Sequence, residues 1–265
     1  MIDNINTLII PDIHGRTFWK DAIDTFPKKS YPKLTIVFLG DYLDPYRFEN
    51  ITPKQALKNF EEILKLARKD SRVHLLIGNH DLHYLLKSDT CRLDYDHYME
   101  IKKLFEDNLD IIKVVYSKKI NGKKYLFSHA GITKNWITYI KSIARNMLKK
   151  KLLDEKRNFY EKLKNVNMTK SLDMLLDSYY GLTFLHMVSG SRGGDDLYGS
   201  CIWADLEEHI YGEIPNKDIF QIFAHSLAYP SIDEPYIDYN LNFAMLDTRT
   251  AWVIDNNNNL IQYKT

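Results

Sequence analysis

The sequence predicts an α/β fold. Apolar runs of strand length recur along the chain, with a helical segment between two of them, and each of these runs ends on a polar cluster. Strand–helix–strand alternation of this kind argues for a sheet covered by helices. The runs are rich in Val, Ile, Leu and Phe, as expected for buried strands.

Taken in order, Thr7–Ile10 leads into Pro11-Asp12-Ile13-His14-Gly15, and Leu34–Leu39 leads into Gly40-Asp41. A helix follows. Thr52 suits the N-cap, Pro53 the first helical position, and Gln55 completes a capping box, after which Leu57, Phe60, Leu64 and Ala67 form one apolar face. Val73–Ile77 then runs into Gly78-Asn79-His80-Asp81. Asn121-Gly122 is a hairpin turn ahead of Tyr125–Phe127, which runs into Ser128-His129-Ala130-Gly131. Residues 134–180 contain no strand-like run. They are rich in Lys and Leu, include Lys149-Lys150-Lys151, and predict two or three helices inserted as a cap within a single domain spanning 1–265. The lysines read as a solvated helix face, with attraction of an anionic substrate as the functional alternative. Ile219–Phe223 leads into Ala224-His225-Ser226, and Asn256–Asn259 forms a turn joining Ala251–Ile254 to Leu260–Tyr263 in a β-rich C-terminal part.

Bulk properties exclude several classes. Hydrophobic residues make up 45% and charged residues 27%, an ordinary balance for a globular chain. The net charge of +1, from 36 basic and 35 acidic residues, gives no global case for nucleic-acid binding. Cys91 and Cys201 are far apart and do not indicate a disulfide framework. No apolar run approaches the roughly 18–20 residues needed to span a bilayer, and the N-terminus has no signal-peptide pattern. A cytoplasmic location and no membrane partner are expected.

Five runs place Asp, His or Asn at the same end, where open α/β sheets bind ligands. Burying so much polarity costs several kcal/mol unless it is compensated, and a pair of divalent cations would compensate it. Carboxylate, imidazole and amide donors without thiolate suit manganese first, with iron, zinc or nickel as alternatives. Asp12 and His14, two apart on a turn, can face one ion, while Asp41 has two carboxylate oxygens with which to bridge two.

Together the five clusters resemble the ordered signature of the calcineurin-like metallophosphoesterases, and most closely its phosphoprotein phosphatase branch, with the bacterial and phage relatives that include diadenosine tetraphosphatases. The resemblance extends from residue 12 to residue 225. It implies two packed mixed β-sheets flanked by helices. It also implies that Asp12 and His14 hold a first metal, that Asp41 bridges, and that Asn79, His129 and His225 hold a second. His80 would be the general acid, with Asp44 as a carboxylate partner that raises its pKa, and a hydroxide bridging the two metals would be the nucleophile. Trp203-Ala204-Asp205 resembles the branch's Trp-Ser-Asp; the plain alternative is a core Trp beside a surface Asp.

The departures concern the substrate. Asp44-Pro45-Tyr46 stands where the branch has Asp-Arg-Gly, whose arginine clamps the substrate phosphate. Arg16, Arg47 and Arg192 are the replacement candidates, and Asp81 replaces the branch's Glu. His83 is expected to be structural, although it lies near His80, as are His74, His97, His186 and His209. The expected activity is that of a phosphomonoesterase acting on phosphoserine, phosphothreonine or a small phosphorylated molecule. The alternatives are a dinucleoside polyphosphate or cyclic nucleotide hydrolase and, last, a non-catalytic scaffold.

Overall fold

The structure, a computed structural model, describes residues 5–88, 92–226 and 234–263. Cys91 lies outside the described residues. The strands are β1 Ile5–Ile10, β2 Thr35–Phe38, β3 Val73–Leu76, β4 Ile112–Lys113, β5 Tyr116–Ile120, β6 Lys123–Phe127, β7 Ile219–Phe223, β8 Tyr236–Asp238, β9 Phe243–Met245, β10 Trp252–Asp255 and β11 Leu260–Gln262. The helices are α1 Phe18–Thr25, α2 Pro53–Lys69, α3 Asn79–Leu86, α4 Tyr98–Glu106, α5 Lys134–Met147, α6 Asp154–Lys164, α7 Tyr179–Leu185 and α8 Leu206–Ile210.

Two mixed sheets result. One runs β11-β10-β1-β2-β3-β4, with β1 to β4 parallel and β10 antiparallel to β1. The other runs β5-β6-β7-β9-β8, with β6, β7 and β9 parallel. Ile9, Val37, Leu39 and Leu76 of the first sheet meet Tyr125, Phe127, Ile222 and Ala244 of the second in one buried cluster. The opposite face of the first sheet, through Leu8, Phe38 and Leu75, packs on Leu57, Phe60 and Leu64 of α2. The first sheet is therefore covered on both sides, which is why its central strands are mainly apolar.

The local signals act as expected. Thr52 accepts from the Gln55 amide while the Gln55 side chain accepts from the Thr52 amide, closing the capping box with Pro53 at the start of α2. Asn121 and Gly122 take φ of 39° and 87°, the left-handed pair a tight hairpin needs. Residues 134–180 hold α5, α6 and a 3-10 turn at Leu172–Leu176, and α7 begins at Tyr179. Packing of α7 against α3 brings this helical stretch beside the polar ends of the strands. Among the described residues no helix is long and apolar enough to cross a membrane.

Candidate metal centre

The parallel strands of both sheets end on the same edge, and the loops leaving them interlock. The Asp41 carbonyl accepts from the amides of Ile13 and His14, at 3.1 and 2.6 Å. Gly40 and Gly78 touch: a Cβ on Gly40 would lie 2.5 Å from the Gly78 amide nitrogen. Asp81, buried in the first turn of α3, takes three backbone N–H groups on its carboxylate, from Gly78, Asp41 and Tyr42 at 2.8, 2.9 and 3.0 Å. His14, Asp41, Asp44 and His225 all hold left-handed backbone, with φ of 43°, 53°, 57° and 68°. Such conformations cost about 1–3 kcal/mol each in non-glycine residues and persist where surrounding bonds overdetermine them.

These loops bring the six predicted ligand residues together. Asp41 Oδ2 lies 3.5 Å from His14 Nε2 and 3.6 Å from His129 Nε2, and Asp12 Oδ1 lies 3.6 Å from His129 Nδ1. The Asn79 oxygen is 2.9 Å from His129 Nε2 and 3.0 Å from His225 Nδ1. Two sets of donor atoms, each within 4.8 Å of one another, therefore share Asp41: Asp12-Asp41-His129 and His14-Asp41-His80. Backbone carbonyls of Leu43 and Leu39 take the Nδ1 protons of His14 and His129, both at 2.8 Å, which leaves each Nε2 lone pair aimed into the centre.

Burial dominates the electrostatics of these side chains. Burial, then the neighbouring carboxylates of Asp247 and Asp41, push the Asp12 carboxyl well above its ordinary pKa. Burial and Asp81 do the same to Asp41. Burial lowers His129 to about 3 and holds His14 and His225 well below their usual range, so all three imidazoles are neutral donors. Asp12 Oδ1 and His225 Nε2 are buried without a hydrogen-bond partner among the described residues. The Asn79 oxygen faces the His129 lone pair, an arrangement that a cation between them turns from repulsive to attractive. The donor set, N and O without sulfur, suits divalent cations.

Residues 5–229 match the family model described as calcineurin-like phosphoesterase. The chain belongs to the calcineurin-like phosphoesterase family. No curated protein matches it in sequence. Among solved structures it is similar in fold to a Saccharomyces cerevisiae protein serine/threonine phosphatase described as similar to human phosphatase PP5, with a TM-score of 0.51 and 14% identity over 100% of this chain and 81% of that one. It is also similar to a mutant cold-active protein tyrosine phosphatase, with a TM-score of 0.50 and 14% identity over 98% of this chain and 81% of that one. These likenesses show the fold; the family membership makes this a metal-dependent phosphoesterase.

Within this phosphoesterase, His80 Nδ1 lies 2.8 Å from Asp44 Oδ2, and Tyr84 donates to the other Asp44 oxygen at 2.6 Å. Burial outweighs Asp44, however, and holds the His80 imidazole below its ordinary pKa instead of above it. The arginines separate clearly. The Arg16 side chain is held by the Glu49 carboxylate at 3.0 and 3.1 Å and by the Asp12 carbonyl at 3.2 Å. Arg47 is exposed on a 3-10 turn. Arg192 pairs with Asp205 at 2.7 Å, donates to Ser226 beside His225, and lines a mouth cavity of about 550 Å³ with Tyr46 and Asp247. Trp203 stands edge-on to His225 and to His83 at 5.8 Å in each case, while Asp205 caps α8. His83, hydrogen-bonded to Ser88, lies 6.0 Å from His80. His74, His97 and His209 are occupied by Tyr116, Asp94 and the Ala130 carbonyl.

Sequence reasoning missed Arg92, Asp81 and Asp247. The Arg92 guanidinium sits 3.7 Å over the Tyr46 ring and places Nη2 2.8 Å from His80 Nε2, with Nη1 buried and lacking a hydrogen-bond partner among the described residues. No motif surrounds it, so nothing in the sequence pointed there. Asp247 follows the short run Phe243–Leu246, the same strand-then-carboxylate pattern as the other clusters, and burial raises it to about 6 against the pull of Arg16 and three other arginines. Asp81 lies inside the quoted motif, but its task is to hold backbone. In Asp81→Asn at least one of the three N–H groups faces an amide donor; unfolding free energy should fall by about 2 kcal/mol, read from the urea midpoint. An unchanged midpoint refutes this role.

Proposed function

We propose that this chain is a two-metal phosphomonoesterase. One observation carries the reading: the Asp41 carboxylate is common to both donor clusters, so a single residue links two adjacent cation positions. The resemblance assigns Asp12 and His14 with Asp41 to the first cation and Asn79, His129 and His225 to the second, whereas the donor clusters pair Asp12 with His129 and His14 with His80; what both share is Asp41. Manganese or a similar divalent ion suits these donors. When bound, such a pair supplies acidified water for in-line attack and neutralises charge on the phosphoryl oxygens.

The chain's own residues complete the reaction. Arginine can only donate, so the Arg92 contact makes His80 Nε2 an acceptor and places the His80 proton on Nδ1, toward Asp44. In the proposed cycle, incoming phosphate oxygens draw the Arg92 N–H groups off His80. The freed Nε2 takes a proton from solvent water, Asp44 balances the resulting imidazolium, and that proton passes to the leaving alkoxide while Nδ1 keeps its own. Arg192, at the other side of the mouth, offers a second guanidinium. A monoester, with two charged non-bridging oxygens and a hydroxyl-derived leaving group, uses both arginines and the acid; phosphoserine, phosphothreonine and small phosphorylated molecules share that chemistry.

Hydrolysis of p-nitrophenyl phosphate by the manganese-loaded protein, in preference to the bis ester, is the expected result; the reverse preference overturns the monoesterase reading. Asp41→Asn should reduce occupancy of both cations in a calorimetric titration with Mn²⁺, and undiminished binding of two ions removes the bridging role. His80→Asn should keep its metal content yet lose about 10²–10⁴-fold in kcat on poor leaving groups. Because His80 also lies in one donor cluster, loss of metal in that variant would reassign it as a ligand. In Arg92→Ala the KM for phosphomonoesters and the inhibition constant of inorganic phosphate should both rise, by about tenfold for one lost charge-assisted contact. Unchanged values place the phosphate elsewhere.

A further inference from the structure

A groove lies at the end of the second sheet opposite the metal centre. Its wall is the β5–β6 hairpin, its lip the loop 167–170, and its floor the start of β7 at Ile219, enclosing about 430 Å³. Lys124 precedes His129 by five residues of mostly extended chain, so the groove and the centre are roughly 16 Å apart along β6. Four lysines line it, Lys118, Lys119, Lys124 and Lys170, and no carboxylate does.

The charges are uncompensated. Lys119 and Lys124 are direct cross-strand partners, so their side chains rise from the same face of the hairpin. Like charges in that register are destabilising unless an anion lies between them. Neither they nor Lys170 forms an ion pair among the described residues, although the chain carries 35 acidic residues against 36 basic ones. Lys118 is half-buried on the hairpin's other face, held by the Asn6 carbonyl and the Thr35 hydroxyl, and burial lowers it to about 8. A second cavity of about 730 Å³ shares Lys170 and adds Lys113 and Lys162. Two of its three carboxylates are already taken: Asp110 pairs with Arg68 at 2.6 Å, and Asp173 accepts from the Val114 and Val115 amides.

We infer that this lysine-lined groove is a docking site for an acidic polypeptide segment, separate from the metal centre. Three features favour a polypeptide over a nucleic acid. β5 is the edge strand of its sheet, the position at which an extended peptide can add a strand, with Ser117 donating to the Thr169 carbonyl of the lip. Met168, half-buried on the lip, offers apolar contact for a side chain. The lining's one aromatic ring, Tyr125, is 3% exposed and leaves no platform on which bases could stack.

The test is fluorescence anisotropy of the full chain with a labelled oligoglutamate, alongside p-nitrophenyl phosphate hydrolysis. Saturable binding that weakens with salt is expected, and Lys119→Glu/Lys124→Glu/Lys170→Glu should reduce affinity by at least about tenfold while turnover and thermal midpoint stay unchanged. A comparison variant, Lys149→Glu/Lys150→Glu/Lys151→Glu, should bind like the parent. Absence of saturable binding overturns the inference, as does an equal loss in the comparison variant. Competition by oligothymidylate as effective as by the peptide also overturns it, in favour of a general polyanion surface. Turnover is read independently, so failure of the docking site and failure of the phosphoesterase reading give different results.

Discussion

The centre depends on one buried carboxylate that is not itself among the predicted ligands. Asp81 reads three amides at once, two from the loop after β2 and one from the start of α3. Hydrogen bonds to an ionised acceptor contribute about 1.5–3 kcal/mol each, yet burial is the larger effect and raises the Asp81 carboxyl to about 7 against them. The geometric result matters more than the net energy. With Asp41 and Tyr42 amides fixed to the same carboxylate as Gly78, the Asp41 side chain can turn back to accept from the His80 amide at 2.9 Å. Two loops from adjacent strands are thereby set in one register, and Asn79 and His80 inherit their positions from it. The close approach of Gly40 to Gly78 follows, since a Cβ at either place would occupy the other loop's backbone.

That scaffold also accounts for the backbone strain. Four of the residues at the centre are left-handed without being glycine, and each lies where neighbouring loops bond to its own amide, carbonyl or side chain. Strain held this way keeps Asp12, Asp41 and three neutral imidazoles in a water-poor space where they would otherwise repel or remain unsatisfied. Burial disfavours the charged form of both kinds of group, pushing the carboxyl groups up and the imidazoles down. Divalent cations would balance the buried carboxylates and take the neutral imidazoles as donors, which is the physical sense in which the residues fit them.

Much of this was legible before the structure because burial on both faces leaves a plain signature. β1, β2, β3, β6 and β7 each contain a short apolar run, with Asn6, Thr35, His74, Lys123, Lys124 and Gln221 at its edge or inside it, and the polar clusters follow their ends; the helix α2 announces itself by its capping box. The Asn121-Gly122 turn joins β5 to β6, the first two strands of the second sheet. What escaped has identifiable causes. β8 and β9 are three residues each, too short to show a period, and that is why Asp247 went unnoticed despite following an apolar run. α3 is hidden because its first turn is made of functional residues and of the glycine-led motif. Arg92 reaches the centre from a loop after α3, and a loop arginine has no pattern to distinguish it from a solvated one. The His80 pKa went the other way from expectation because a neighbouring charge is visible in the sequence and desolvation is not.

The lost arginine motif gains a physical explanation from Tyr46. Proline at position 45 redirects the chain after Asp44, so the residue that follows presents a ring edge-on to His14 at 5.0 Å. That ring is flanked by guanidinium groups: Arg92 at 3.7 Å, Arg16 at 5.5 Å and Arg249 at 5.7 Å. Arg16 and Arg249 both discharge onto Glu49, whereas Arg92 keeps a buried nitrogen unspent. An aromatic face is a good seat for a cation that must change partners, because stacking holds the guanidinium plane without consuming its N–H donors. Under the proposed reading, the tyrosine next to the proline that stands in the arginine's place is the platform for another arginine. Specificity would then be set by how far Arg92 can follow the phosphate while still on that ring, a constraint imposed by the stack and not by the metal ligands.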